Sequence, residues 1–414
     1  VILDYAPRWE AARRDAFLDW LKRGGIVHLL AGPNGEFPVF ADALAVLNGS
    51  GDLTRVGAGQ VVRHRIPRAE LNEAALAKRG FPSRELKQPQ SPAIYNFDDT
   101  LFQRLSSLTR PNVSWWLLNL LTFFYIIVIG PAAYRWSRRM DYRLAIACFL
   151  GAVALFGMAF AIVGRRGYGE SQTVHSLSIA RSLGGTRWDV AQWISAFATS
   201  SGDYTLTHNA PANLYTVPSA SDAMSGRIVN GKDGQIHLEI PLYSSRAFAH
   251  RAAMTGDDAS VTVEEWEGGS PGLRALRLKP GAGFPKDVIE MRAVFGALTY
   301  TLKFTNGAWA LGAESGQPVT EVLTRDKLQA LGNAYRYTAD ERPPVERLRE
   351  LFPLLEANAI GSPEITPQFP LRPLSADQLR LYIVAPAPAG FHMQGKGFER
   401  ENGIVLYVQD VFKP

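Results

Sequence analysis

The sequence predicts a multidomain membrane protein: a partial α/β domain, two transmembrane helices, an antiparallel β-sandwich and a small α+β C-terminal region. Three observations carry this. Two uncharged apolar runs, at 114–134 and 144–164, would each span about 30 Å as helix, the thickness of a bilayer's hydrocarbon core. The chain before them alternates strand-like and helix-like segments. The chain after them breaks into short strands separated by Gly, Asn, Asp and Pro turns. With 414 residues there is length for several domains, and the boundaries fall at 1–78, 79–111, 112–164, 167–315 and 316–414. A composition that is 46% hydrophobic and 20% charged excludes a disordered chain.

In the first region, residues 1–5 read as a short apolar strand. Trp9, Ala12, Ala16, Phe17 and Trp20 then fall on one face of a helix over 9–23, which Gly24 and Gly25 stop. Residues 26–30, IVHLL, read as a buried strand, 31–35 as a turn, 37–47 as a second helix and 53–66 as further strands. Continuous apolar strands with helices between them indicate a parallel sheet. The turn AGPNGEF has neither the dinucleotide fingerprint nor a Lys-Ser/Thr pair, so it reads as a tight turn rather than a phosphate cradle. His28 reads as a core histidine, with no nucleophile near it. Val1 opens an apolar run with neither an initiator Met nor a signal peptide ahead of it, so the chain reads as truncated at its N-terminus.

The linker, 79–111, holds Pro82, Pro89, Pro92 and Pro111 and one short helix over 99–108. Leu101, Phe102, Leu105 and Leu108 share a side of that helix, which lies either on the lipid surface or against the first domain. In the hairpin, Trp115, Trp116, Tyr134 and Trp136 sit where amphipathic rings prefer the headgroup layer. Gly151 and Gly157 would let the first helix approach closely. Asn119 either bonds the partner helix or sits near the interface, and Pro131 falls where the chain is leaving the lipid. Arg135, Arg138, Arg139 and Arg143 crowd the connecting loop and place it in the cytoplasm, with both soluble regions outside.

The segment RDAFLDWLKRGGIVHLLAGPNG resembles the class I glutamine-amidotransferase-like domains of bacterial membrane proteins, and NLLTFFYIIVIGPAAYRWSRRMDYR resembles the hairpin of the same proteins. The resemblance covers residues 1–310 in architecture and these two stretches in motif. It implies a flavodoxin-like sheet and a bacterial inner membrane. Active members use a Cys nucleophile with a downstream His-Glu pair; the one cysteine here, Cys148, lies within the second apolar run, so the resemblance implies a degenerate domain without that catalysis.

After the hairpin, strands are expected at 173–180, 188–197, 204–207, 226–229, 235–240, 260–263, 273–278 and 294–304, forming the sandwich of 167–315. The remainder is expected to hold helices at 324–331 and 344–357, a Pro-rich connector at 363–373, and strands at 378–384 and 403–408.

The seven histidines, His28, His64, His175, His208, His237, His250 and His392, form no close ligand pair. Asp98-Asp99, Asp257-Asp258 and Glu264-Glu265 read as solvated neighbours. Gly268-Gly269-Ser270-Pro271-Gly272 matches the nucleophile elbow by letters, but a strand rather than a helix follows, so it reads as a loop. A single cysteine excludes an intrachain disulfide. A net charge of +5, much of it beside the hairpin, gives no case for nucleic acid. No catalytic, cofactor-binding or metal residue is assigned and no cofactor is expected. The partners expected are the lipid bilayer and proteins of the membrane or envelope. The reading is a non-catalytic integral membrane protein with extracytoplasmic binding or scaffolding domains, in an envelope or transport-associated complex. The alternative is a hydrolase or transferase whose site is completed by residues before Val1.

Overall fold

The computed structural model describes residues 1–49, 51–72, 97–108, 115–164, 172–217, 225–269, 272–312, 316–323, 344–360, 377–398 and 400–414. The N-terminal region builds a four-stranded sheet from β1 (Ile2–Leu3), β2 (Ile26–Leu30), β3 (Leu53–Val56) and β4 (Gly59–His64), in the order β1-β2-β4-β3. β1, β2 and β4 run parallel, while β3 returns as an antiparallel hairpin on β4. One helix, α1 (Ala11–Lys22), covers it, burying Leu18 and Leu21 against Leu3, Val27, Leu29 and Val61. β4 passes so close beneath the end of α1 that a Cβ at Gly59 would strike the Leu21 carbonyl. The helix expected over 37–47 shrinks to a 3₁₀ segment at Asp42–Leu47, which suits a stretch led in by Pro38 and anchored by Phe40, Leu44 and Leu47. The sheet is parallel in part, and its extent does not establish the flavodoxin-like form.

The region after the hairpin supplies β5 (Thr173–Gly184), β6 (Arg187–Ala198), β7 (Gly202–His208), β8 (Leu214–Thr216), β9 (Gly226–Val229), β10 (Gln235–Ile240), β11 (Ser244–Thr255), β12 (Val261–Gly269), β13 (Gly272–Pro280), β14 (Glu290–Phe295), β15 (Leu298–Thr305), β16 (Ala308–Leu311), β17 (Gln317–Pro318), β18 (Gln378–Pro386), β19 (Met393–Gly395) and β20 (Arg400–Phe412). Most of these join one twelve-stranded sheet in the order β12-β13-β16-β15-β14-β18-β20-β5-β6-β11-β8, with β17 on β15. A second, antiparallel sheet, β19-β7-β10-β9, packs over β5, β6 and β11 through Leu206, Ile236, Leu238, Phe248 and Ile194.

Several expectations change here. The boundary at 315/316 does not separate two sheets: β18 and β20 lie in the middle of the large sheet, between β14 and β5. Both are buried on two faces, as their unbroken apolar runs require. On β20, Ile404, Leu406 and Val408 meet one core and Val405 and Tyr407 another. The all-antiparallel expectation fails at one seam, where β20 pairs with β5 in parallel. The single strand expected over 294–304 is the hairpin β14–β15, turned at Gly296 with φ +61°, a left-handed position that glycine adopts freely. The second core joins Trp188 and Met254 of β6 and β11 to Trp266 and Leu278 of β12 and β13. That core continues through Leu302, Ala293, Leu381 and Tyr407 of the strands between them.

The linker helix, α2 (Phe97–Leu108), lies on neither the lipid surface nor the first domain. Its Leu101, Phe102 and Leu105 are buried on the large sheet, against Leu177, Ile179 and Trp193. The apolar hairpin consists of α3 (Trp115–Ile127), continued through a π-helical turn at Val128–Ala132 into α4 (Ala133–Ser137), and α5 (Tyr142–Gly164). Pro131 sits in the π turn, a form of helix that accommodates an interruption of the regular ladder. The two stretches Trp116–Ser137 and Tyr142–Ile162 are long and apolar enough to cross a membrane, and the rest of the chain leaves them almost uncovered. The glycines do not bring them together: a Cβ at Gly151 or Gly157 would meet nothing within 4 Å. Contact runs instead through Tyr125, edge-on to Phe156 at 5.3 Å and to Phe160 at 6.1 Å. Asn119 makes no hydrogen bond to α5 among the described residues.

Beyond β17 come α6 (Val319–Val322), α7 (Pro344–Arg349) and α8 (Phe352–Ile360). The helix expected over 344–357 is therefore broken in two at Glu350 and Leu351. The helix expected at 324–331 and the connectors at 79–96 and 363–373 lie outside the described residues.

Candidate functional site

The regions before and after the hairpin meet along a seam of charged side chains. Arg23, just past α1, places Nη1 3.1 Å from Asp189 Oδ2 on β6. The same carboxylate receives Arg251 of β11 in a two-pronged pair, at 3.1 Å from Nε and 2.7 Å from Nη2. Arg187 reaches back to Asp19 of α1 at 3.0 Å. At the far end of the seam, Arg55 of β3 donates to both oxygens of Asp377 at 2.8 Å and lies over the Phe412 ring at 4.5 Å. Burial alone would raise the Asp189 carboxyl. The hydrogen bonds and charges of Arg251 and Arg23 outweigh it and hold the group below the ordinary carboxylate range.

Within this seam lies a cleft of about 230 Å³. One wall is Lys22, Arg23 and the β3–β4 turn at Gly57 and Ala58; the other is the end of β5 with Arg181, together with Arg380 of β18, Asp410 of β20 and Ala359 of α8. Arg380 and Asp410 form a bidentate pair at 2.7 and 3.1 Å. Burial works against the Arg380 charge, but that pairing outweighs it and raises its pKa. Arg181 donates to the Ala359 carbonyl at 3.2 Å, where the end of α8 offers partial negative charge. Its pKa is lowered, chiefly by burial, with Asp189 opposing.

The residues weighed for chemistry fall elsewhere. His28 Nδ1 lies 3.0 Å from His64 Nε2 on the neighbouring strand, and burial with that neighbour lowers His28 to about 4. The AGPNGEF turn is closed on itself: the Glu36 amide donates to Asn34 Oδ1 at 3.1 Å and the Gly32 amide to the Glu36 carbonyl at 2.8 Å, so no crown of free amides faces a ligand. β12 and β13 flank Ser270, itself outside the described residues, and no helix follows it. Cys148 lies on α5.

One buried network had no sequence signal beyond its lone histidines. His250 places its ring nitrogens 2.9 Å from Gln192 Oε1 and 2.8 Å from Asn213 Oδ1, and its ring stacks on His208 at 3.7 Å. Both amides are held oxygen-inward, since their NH₂ groups donate to Ser178 Oγ and the Phe391 carbonyl, and to the His208 and Gly234 carbonyls. Burial, then His208, holds His250 near 2, so the ring is neutral and donates to only one of the two oxygens. The neighbouring Tyr215 hydroxyl is taken up by His208 Nδ1 at 3.0 Å, and among the described residues neither ring nitrogen of His250 bonds a hydroxyl, thiol or carboxylate, so the network serves to lock β6 against β11. Among the described residues no group of three or more His, Cys, Asp or Glu is placed to hold a metal.

No protein-family model matches the chain, and no curated protein matches it. Among solved structures, the Mu homology domain of Fcho1 from Danio rerio with bound Eps15 peptide is 7% identical, with 59% of this chain and 96% of that chain covered at a TM-score of 0.26. An M1 zinc metallopeptidase from Deinococcus radiodurans is 12% identical over 36% of this chain, with a TM-score of 0.15. The chain spans only 40% of that enzyme's length. Overlaps this low assign neither a fold nor an activity.

Proposed function

We propose that the chain is a non-catalytic, membrane-anchored binding or scaffolding protein whose two soluble regions act as one extracytoplasmic body in an envelope or transport-associated complex of a bacterial inner membrane. The observation that supports this best is the seam: Arg23–Asp189, Arg187–Asp19 and Arg55–Asp377 join chain from before the hairpin to chain after it. Two crossings return the chain to the side it left, so a hairpin in the bilayer is compatible with that contact. Arg138 and Arg139 in the tight loop between the spans favour a cytoplasmic loop. The likeness of the first region to degenerate glutamine-amidotransferase-like domains belongs to this proposal. Three parallel strands under a helix agree with it.

Thiol accessibility in whole cells tests the reading. On a Cys148→Ala background, an impermeant reagent should label Asp233→Cys, in an exposed turn before β10, and should spare Arg139→Cys. Labelling of position 139 with protection of 233 would invert the topology and end the extracytoplasmic reading. Crosslinking in cells should capture protein partners through the large-sheet region, and capture of none would end the scaffolding reading.

A further inference from the structure

We propose that the cleft between α1 and the β3–β4 turn on one side, and β5, β18 and β20 on the other, is a binding site for a phosphate-class oxyanion, held by Lys22 and Arg181 with Arg23 and Arg380 beside them. The charge of the walls is unbalanced. Among the described residues the lining carries Lys22, Arg23, Arg181 and Arg380 against one carboxylate, Asp410. Asp410 is taken by the Arg380 fork. Among the described residues Arg181 donates to a carbonyl rather than to a carboxylate, and Asp189, the countercharge that acts on it, is already held by Arg251 and Arg23. Lys22, on the opposite wall, has no ion pair among the described residues.

Like charges gathered on two walls of a narrow cleft focus a positive potential, and an anion relieves their repulsion. Guanidinium forks match the oxygens of a phosphate in pairs, which favours phosphate over a spherical anion such as chloride. Size narrows the class. Pockets for drug-sized ligands run to roughly 300–1,000 Å³, so a cleft of about 230 Å³ suits inorganic phosphate or a small phosphomonoester rather than a nucleotide.

The test uses the full chain in phosphatidylcholine nanodiscs, titrated calorimetrically with inorganic phosphate at constant ionic strength against chloride. The expected result is saturable phosphate binding that Lys22→Gln and Arg181→Gln each weaken about tenfold. Arg274→Gln, which removes an exposed charge on β13, should leave the affinity unchanged. Lys22→Gln keeps the test decisive if Arg181→Gln fails to fold, because no ion pair is lost with it. Absence of saturable binding, or equal weakening by Arg274→Gln, overturns the proposal. Repeating the titration in nanodiscs containing phosphatidic acid separates two sources of the same chemistry: loss of free-phosphate binding assigns the oxyanion to a lipid headgroup, and undiminished binding assigns it to a soluble phosphate. The inference stands apart from the scaffolding reading, since partner capture and phosphate binding are read in separate experiments.

Discussion

The hairpin and the helices on the large sheet are both rich in leucine and phenylalanine, yet they stand in opposite relation to the rest of the molecule. Trp116, Phe123, Leu150 and Leu155 of the hairpin are exposed, whereas Leu101, Leu105, Leu354 and Leu355 of α2 and α8 are fully covered. What separates them is the distribution of apolar residues. α2 carries its leucines on one side with Asp99 and Arg104 elsewhere, so a protein surface satisfies it. The hairpin helices are apolar all round and need a solvent that is itself apolar.

Substitutions can break that contrast, and the largest effect is expected under the helices. Leu105→Asp would place a carboxylate in the first core with no partner and cost about 4 kcal/mol or more, read as loss of a cooperative thermal transition. The same change at a surface position of α2 should be nearly silent. Next comes Leu150→Arg in the middle of α5, expected to oppose insertion by about 3 kcal/mol and to move protein into the alkali-extractable fraction. If Leu150→Arg leaves membrane retention untouched, the hairpin does not span.

A third prediction concerns ionisation, which only the covered helices should feel. Glu356 of α8 is buried, and although Arg292 Nη1 lies at 2.7 Å, burial outweighs that charge and raises its carboxyl to about 7. A folded-state value above the unfolded one means the stabilisation is complete below about 4.3 and is lost as pH rises through about 7. Thermal stability should fall by roughly 2–3 kcal/mol from pH 5 to pH 8, and Glu356→Gln should flatten that slope. The smallest effect is expected from Gly157→Ala, below about 0.5 kcal/mol because its Cβ enters open space, whereas Tyr125→Ala should loosen the hairpin measurably.

The hairpin was legible because its signal is local: length, absence of charge and aromatic ends. So were β18 and β20, whose apolar runs admit no other reading in so short a span. β11 escaped notice. Its sequence SSRAFAHRAAMT is rich in Ala, a poor strand former, and only Phe248, His250, Ala252 and Met254 mark the alternate inward positions. The pairing of β20 with β5 has no local signature at all, because register between distant strands is set by tertiary packing. The cleft was illegible for the same reason. Lys22, Arg181 and Arg380 lie far apart in the chain with no motif around them, and only the packing of the first region against the large sheet brings them to one cleft.

The position of the last strand has a consequence for how the molecule is made. Glu401 of β20 and Ser176 of β5, hydrogen-bonded at 2.9 Å, are 225 residues apart in the chain. A ribosome that has delivered the hairpin and β5 to β17 has produced a sheet still lacking its two middle strands, with the edges of β5 and β14 open. The N-terminal region can meet β6 early, through Arg23–Asp189 and Arg187–Asp19, but its contact of Arg55 with Asp377 and Phe412 forms only after β5 to β17 have been made. The apolar hairpin is therefore complete before the sheet that follows it can close, and until β18 and β20 are made the edges of β5 and β14 stand unpaired and open to mispairing.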